Sequence, residues 1–293
     1  MRLRRLTYRA RLCIVAASAV ISLLPVAFIF LNSFMSSTES EMRYTSRVTP
    51  HSSLGLTSGS MHYVEMTFIP ELLSLSGYRQ VLLQDPTHLR FLWNSLILAV
   101  PIIAGTLVIS PLAAYGFERV RTKHKEKLFF AYILTMMLPM QVLLVPHFLA
   151  ANFLGISRNY LAIILPAIFA PFGVFLIRQQ MKGFDKSVIE AAKIDGASEF
   201  QIFKSIVLPN LKPTMTALMV LAFSEVWNLV DQAVVFIHET RHLPLSVHLS
   251  AVSSDSMVSV AFALSSLFMI PALIVFIYGQ DNLAEGIGYT SFK

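Results

Sequence analysis

The run Glu190-Ala191-Ala192-Lys193-Ile194-Asp195-Gly196-Ala197-Ser198, continued by Phe203 and Pro209, sits between two apolar stretches, Tyr160–Ile177 and Thr214–Ile237. The loop that holds it, Arg178–Lys212, is polar, compact and full of helix signals. Ser187-x-x-Glu190 fits a capping box, in which the serine caps a helix start and the glutamate reaches back to it. Ser198-x-x-Gln201 repeats the pattern eleven residues later. Gly196 falls just before the second cap, where a left-handed or sharply bent backbone is easiest. Pro209 is expected to end the second helix and Pro213 to open the next span. Phe200, Phe203 and Val207 lie at i, i+3 and i+7 and predict one apolar stripe. Val188, Ala191 and Ala192 predict a small-residue face on the first helix. Helices this short are not stable alone. They need a surface, either the rest of this chain or a separate protein.

Around this loop the chain is apolar. Its 293 residues are 55% hydrophobic and only 14% charged, with a mean hydropathy of +0.64. Soluble domains carry about 25% charged residues, so a large soluble domain is excluded. Six apolar spans follow, at roughly Leu12–Phe34, Phe91–Phe117, Leu128–Ala150, Tyr160–Ile177, Thr214–Ile237 and Met257–Gln280. Each is near the ~20 residues that cross a hydrocarbon core as a helix. A free backbone N–H or C=O finds no partner in lipid, so such spans must be helical. The ~10-residue alternating segments of a β-barrel are not seen. The fold class is therefore all-α and polytopic. Pro25, Pro101, Pro111, Pro139, Pro146, Pro166, Pro171 and Pro271 read as kinks in a membrane bundle.

Of the 23 Lys and Arg residues, six fall on one side of this scheme: Arg43, Arg47, Arg79, Arg90, Arg158 and Arg241. The other 17 fall on the opposite side with both termini, which the positive-inside bias places in the cytoplasm. The net charge of +6 follows from that bias. It gives no support to a nucleic-acid role, because the basic residues occupy short loops without interleaved aromatics. The organisation expected is a cytoplasmic N-terminus with the first span (1–34), an extracytoplasmic loop (35–90) and a core (91–280). The core carries cytoplasmic helices at about 185–208, and a cytoplasmic tail follows (281–293). The Arg-rich start resembles a secretory signal, but its long apolar run lacks a good cleavage site, so it is read as a retained span. Cys13 is the only cysteine, which excludes an internal disulfide and a cysteine metal site. His51 and His62 show no metal spacing.

Only Glu225 and Asp231, among 17 acidic residues, fall inside a span. Carboxylates at membrane depth are costly and read first as functional. Glu225, Asn228 and Gln232 share one face of a continuous helix, with Asp231 beside it and Trp227 close by. An aromatic ring with amides and carboxylates suits a sugar's hydroxyls. The same groups equally suit interhelical hydrogen bonds or the lining of a water-filled cavity. A proton- or ion-coupled secondary transporter using Glu225 and Asp231 is the alternative function. An intramembrane enzyme lacks its constellation, since His238, His242 and His248 have no metal-ligand partner set.

Glu190-Ala191-Ala192-x-x-Asp195-Gly196-Ala197, with Phe203, Leu208-Pro209 and Pro213, closely resembles the EAA signature of ABC importer permeases. Asn94-Ser95-Leu96, Ala114-Tyr115-Gly116-Phe117-Glu118-Arg119, and Phe223 with Trp227-Asn228 resemble the carbohydrate-uptake branch, in its smaller-permease type. The similarity covers about residues 75–280. It implies a type I importer permease fold with six transmembrane helices and a non-catalytic transport subunit. The implied partners are a second permease, a cytoplasmic ATPase dimer, an extracytoplasmic solute-binding protein and the bilayer, with no nucleic acid. The chain itself is expected to bind no cofactor and no metal. ATP and Mg would sit on the partner ATPase, since no G-x-x-x-x-G-K-[ST] occurs here. Glu190, Ala191, Ala192, Asp195, Gly196, Ala197, Phe203 and Pro209 would form the ATPase-coupling element. Phe203 would anchor it to its own bundle or to the partner's groove. Glu225, Trp227, Asn228, Asp231 and Gln232 would belong to the translocation path.

Overall fold

A computed structural model of the chain describes residues 2–45, 67–119, 122–252 and 258–288. Arg47, His51, His62, Arg121 and the tail beyond 288 lie outside the described residues. Among the described residues the structure is helical apart from one isolated β-bridge, Met35 to Leu73. Four helical segments are long and apolar enough to cross a membrane: Arg11–Asn32, Thr87–Arg119, Leu161–Lys182 and Val258–Leu283. Two bent pairs bring the number to as many as six where each pair is one span: Lys125–Met137 with Met140–Phe153 at 102°, and Glu199–Asn210 with Lys212–Trp227 at 71°.

The sharpest bend has a covalent cause. Helix α1 is Arg2–Asn32, α2 is Thr87–Arg119, α3 is Lys125–Leu134 and α4 is Met140–Phe153. Pro139 separates α3 from α4. The residue before a proline is pushed out of the helical region, and Leu138 is accordingly extended, with ψ 124°. Helices α1 and α2 instead run through Pro25, Pro101 and Pro111 without a break. Helix α5, Leu161–Ile168, ends ahead of Pro171, which opens α6, Pro171–Lys182. The missing N–H of proline costs nothing at that position.

The chain divides into two compact units, Met1–Leu89 with His248–Ile270, and Arg90–Val247 with Pro271–Lys293. In the first unit the apolar window of α1 has no buried residue, as befits a helix facing lipid. The polypeptide after α1 is fixed by polar contacts. Backbone N–H groups of Glu71 and Leu72 donate to the Glu39 carboxylate, and Arg43 bridges Glu39 and Glu71. The Tyr78 hydroxyl hydrogen bonds to Ser33 Oγ at 2.7 Å and donates to Ser266 Oγ at 3.0 Å. These contacts turn the described part of the long loop into short turns at Ser76–Arg79 and Gln80–Gln84.

The second unit carries both candidate sites. One core cluster joins Ala114 of α2, Phe129 of α3, Val174 and Ile177 of α6, and the loop residues Ile202, Phe203 and Val207. A second joins Leu98 and Ile102 of α2 to Ala151, Ile163 and Phe236. Arg178, counted in the sequence only as a basic loop residue, is fully buried between these helices. Its guanidinium meets Glu126 at 2.6 Å and Glu118 at 3.5 Å, and lies 3.9 Å above the Phe129 ring. A buried charge is tolerated only when paired in this way.

The fifth span is not the continuous helix expected over Thr214–Ile237. Helix α7 is Lys186–Ile194, α8 is Glu199–Ile202, α9 is Lys212–Trp227 and α10 is Asp231–Phe236, so the span breaks at 228–230. The Asn228 side chain donates to Ser224 O at 2.9 Å and takes the place of a continuing backbone bond. The carbonyl of Leu229, freed by the break, accepts from Ser246 Oγ at 2.6 Å. Every buried backbone group needs such a partner.

Candidate functional site

The loop between α6 and α9 folds as two helical pieces around a bend. Asp185, not Ser187, caps α7: its carboxylate accepts from Ser187 N at 2.9 Å, and the helix starts at Lys186, two residues earlier than expected. The bond from Ser187 holds the Asp185 carboxyl below its ordinary range. Glu190 is therefore not part of a box and stands exposed on the helix. The inward face of α7 also differs from the expected one. Ile189 and Ala192 pack against the core, while Val188 and Ala191 face outward.

Gly196 has φ +81°, the left-handed region. Its N–H donates to Lys193 O at 3.0 Å, and Ala197 N–H donates to Ala192 O at 2.9 Å. This pair of bonds is a Schellman motif, which closes a helix by turning the next residue left-handed. The second box is present as expected: Gln201 N donates to Ser198 Oγ, and Ser198 N donates to Gln201 Oε1.

Beyond Ile202 the helix widens into a π turn over Phe203–Val207. Pro209 cannot donate and crowds the carbonyl four residues before it, and the widened turn lies just upstream. Pro209 does not end the helix, which continues through Asn210. The altered register changes the apolar stripe: Ile202, Phe203 and Val207 are buried, whereas Phe200 is 69% exposed. Phe203 packs 5.2 Å from Tyr115 of α2, so it anchors the loop to its own chain.

A polar clamp adds to that anchor. The Glu199 carboxylate accepts from Tyr115 Oη at 2.6 Å and Arg119 Nε at 2.9 Å, and Lys193 Nζ lies 2.9 Å away. These partners, Arg119 first, hold the Glu199 carboxyl down at about 2. Glu190 lines a groove of about 290 Å³ beside this clamp, with Glu118, Arg119, Lys125 and Lys193. Sequence reasoning missed Glu199. Its only signal was the position just after the Ser198 cap, where an acidic residue favours the helix dipole.

Glu225, Asn228, Asp231 and Gln232 line one cavity of about 930 Å³. They meet because the chain turns at the break, not because they share a helix face. Gln141 Nε2 donates to Asp231 Oδ2 at 3.2 Å. Trp227 is elsewhere: it is buried and stacks on Phe223, with ring centroids 5.0 Å apart. Its place is in the packing of α9, not on the cavity wall.

Bent apolar spans, a folded loop anchored to the helices and a largely apolar cavity holding two carboxylates suit one class, the membrane-spanning permease of a transport system. The chain belongs to the family described as binding-protein-dependent transport system inner membrane component, which it matches over residues 95–288. It is 34% identical over 197 residues to the lactose transport system permease protein LacG of Rhizobium radiobacter, covering 67% of this chain and 72% of that one. It is 27% identical over 225 residues to the arabinooligosaccharides transport system permease protein AraQ of Bacillus subtilis (strain 168), covering 74% and 78%. In fold it matches a chain of a bacterial ABC transporter involved in the import of the acidic polysaccharide alginate. That match has TM-score 0.75 and 23% identity, over 96% of this chain and 98% of that one. The protein is thus a multi-pass membrane permease of an ABC importer, and a secondary transporter built on Glu225 and Asp231 is not favoured.

Proposed function

We propose that the chain forms half of the translocation path for a sugar or oligosaccharide, and that residues 185–208 couple it to a cytoplasmic ATPase. The observation that carries the coupling is the two-sided loop. Its inner side is fixed by Phe203, Ile202 and the Glu199 clamp. Its outer side presents Val188, Ile194 and Phe200, of which Ile194 is 86% exposed. Large apolar side chains exposed outside the spans suit an interaction surface. Exposed Glu190, Ala191, Asp195 and Gly196 lie on the same loop, and the small residues permit close approach.

The loop sits on the side that holds most of the Lys and Arg residues, which supports a cytoplasmic position and cytoplasmic termini. The sugar assignment is supported by the permeases of lactose and arabinooligosaccharide transport systems among its relatives. The chain is a non-catalytic subunit in this reading. ATP and Mg act on the ATPase dimer, a second permease completes the path, and a solute-binding protein delivers the substrate. Closure of the ATPase dimer moves the clamped loop and its bundle together, switching access between two packed states.

The test is purification in mild detergent with identification of what elutes alongside. A second permease and an ATPase are expected with the native chain. Ile194→Asp with Phe200→Asp should release the ATPase and retain the permease. Retention of the ATPase by that variant, or its absence from the native preparation, would refute the coupling.

A further inference from the structure

One carboxylate ties three helices together at the bend of the loop. Glu199, the first residue of α8, accepts from Tyr115 Oη at 2.6 Å, from Arg119 Nε at 2.9 Å and from a terminal nitrogen of the same guanidinium, all at the end of α2. Lys193 Nζ, in the last turn of α7, lies 2.9 Å from the same carboxylate. A two-pronged arginine bond fixes direction as well as distance. Between Lys193 and Glu199 stands Gly196, left-handed and with open space where a Cβ would be. No neighbouring wall therefore holds the angle at that glycine. Past the bend, α8 is rooted by the buried Ile202, Phe203 and Val207, whereas α7 meets that core through the partly buried Ile189 and Ala192.

Arg119 and Lys193 are like charges held against one anion. Without it they repel each other across the bend and push α7 away from α2. Glu118, the neighbouring anion on α2, is already set against Lys125 and Arg178 at 3.5 Å each. Isolated exposed ion pairs contribute little, but a bidentate pair within a network is the case that counts. We propose that Glu199 is a positioning residue of the transport cycle, which locks the angle between α7 and α8 and makes the loop a stiff lever between the ATPase and α2. This rests on the coupling proposed above and adds the joint through which it acts. With the joint intact, movement imposed on the exposed face of α7 turns α2 with it. With the joint cut, the loop bends at Gly196 and absorbs the movement, so the ATPase stays bound while the spans stay still.

The experiment reads backbone hydrogen exchange, first in the purified chain. Glu199→Ala should speed exchange over 187–197 about fivefold or more and leave 202–207 unchanged. In a Cys13→Ser background, Arg119→Cys with Glu199→Cys should behave as Glu199→Ala does while reduced. Once bridged by a short bifunctional methanethiosulfonate, it should behave as the native chain, a rescue that a merely weakened fold would not show. In the complex that elutes with the ATPase, trapping with ATP, Mg and vanadate should alter exchange over α9. In Glu199→Ala the ATPase should still elute, because Ile194 and Phe200 are untouched, and the change over α9 should fall by about half or more. Bridging the two cysteines should restore it. If Glu199→Ala does not accumulate, Arg119→Gln cuts the same bond from α2. Exchange over 187–197 unmoved by the variant, loss of the ATPase from it, or no rescue by the bridge would overturn the proposal. So would a native α9 that does not respond to trapping, or a full response that survives in the variant. Absence of an ATPase from the native preparation would instead refute the coupling, and exchange over 187–197 would still decide the joint, so the two fail separately.

Discussion

At the scale of single residues, Gly196 is the plainest case of a side chain excluded by backbone geometry and not by space. A Cβ built there meets nothing within 4 Å, yet φ is +81°. Asn tolerates the left-handed region, whereas a β-branched residue there is a true outlier. Gly196→Asn should therefore keep uptake within about twofold, while Gly196→Val should lower it about tenfold at equal membrane levels, a strain of 1–2 kcal/mol being worth roughly that factor. Transport measured beside quantitative immunoblots decides it; equal damage from both would mean the position is needed for close contact and not for the bend. The sequence made this glycine and the Ser198 cap legible because local backbone chemistry sets both. It misplaced the cap of α7 because Ser187 and Asp185 are both good caps, and only the path of the chain leaving α6 selects Asp185. Arg178 was illegible as a buried residue, since its carboxylate partners come from α2 and α3.

At the scale of elements, the spans were legible as apolar runs, but their interruptions were only partly so. Pro139 announces the bend between α3 and α4. The break after Trp227 has no proline or glycine to mark it and depends on Ser246 taking the freed carbonyl. A second tertiary pairing joins the first turn of α2 to α11, Leu245–Val252. His88 Nδ1 and His248 Nε2 are 3.0 Å apart, and Asp85 lies 3.8 Å from the other His88 nitrogen. Burial first, then the proximity of His88, pushes His248 down to about 4, with Asp85 opposing. A histidine with a lowered folded pKa takes up protons more readily when unfolded. Its contribution to stability is full above an ordinary histidine pKa of ~6.5 and is lost as pH falls towards 4. The unfolding temperature of the detergent-solubilised protein should fall between pH 6.5 and 4.5, and His248→Gln should flatten that slope. An unchanged slope in the variant would show that the pair does not control acid stability. The sequence hid this pair because His88 and His248 lie on helices far apart along the chain.

At the scale of the whole molecule, the two-unit division was not legible either, since the first unit joins two segments, Met1–Leu89 and His248–Ile270, that lie far apart along the chain. What the sequence does carry at this scale is a charge bias from which an orientation is proposed. The bias of basic residues acts during insertion on the short loops flanking each span; the orientation proposed from it puts the loop of α7 and α8 in the cytoplasm and segment 237–243 outside. Ile194 and Thr240 are exposed on those two segments, and Cys13 is the only native thiol to remove. In a Cys13→Ser background, a membrane-impermeant maleimide should label Thr240→Cys in intact spheroplasts and Ile194→Cys only in inverted vesicles. Neither position carries a charge, so the substitutions leave the orienting bias untouched. The reverse pattern would place the apolar face of the loop outside the cell, beyond reach of any ATP-hydrolysing partner. Labelling of both positions from one side would show that an odd number of spans does not separate them, and would require the bent pair at Lys212–Trp227 to re-enter the membrane instead of crossing it.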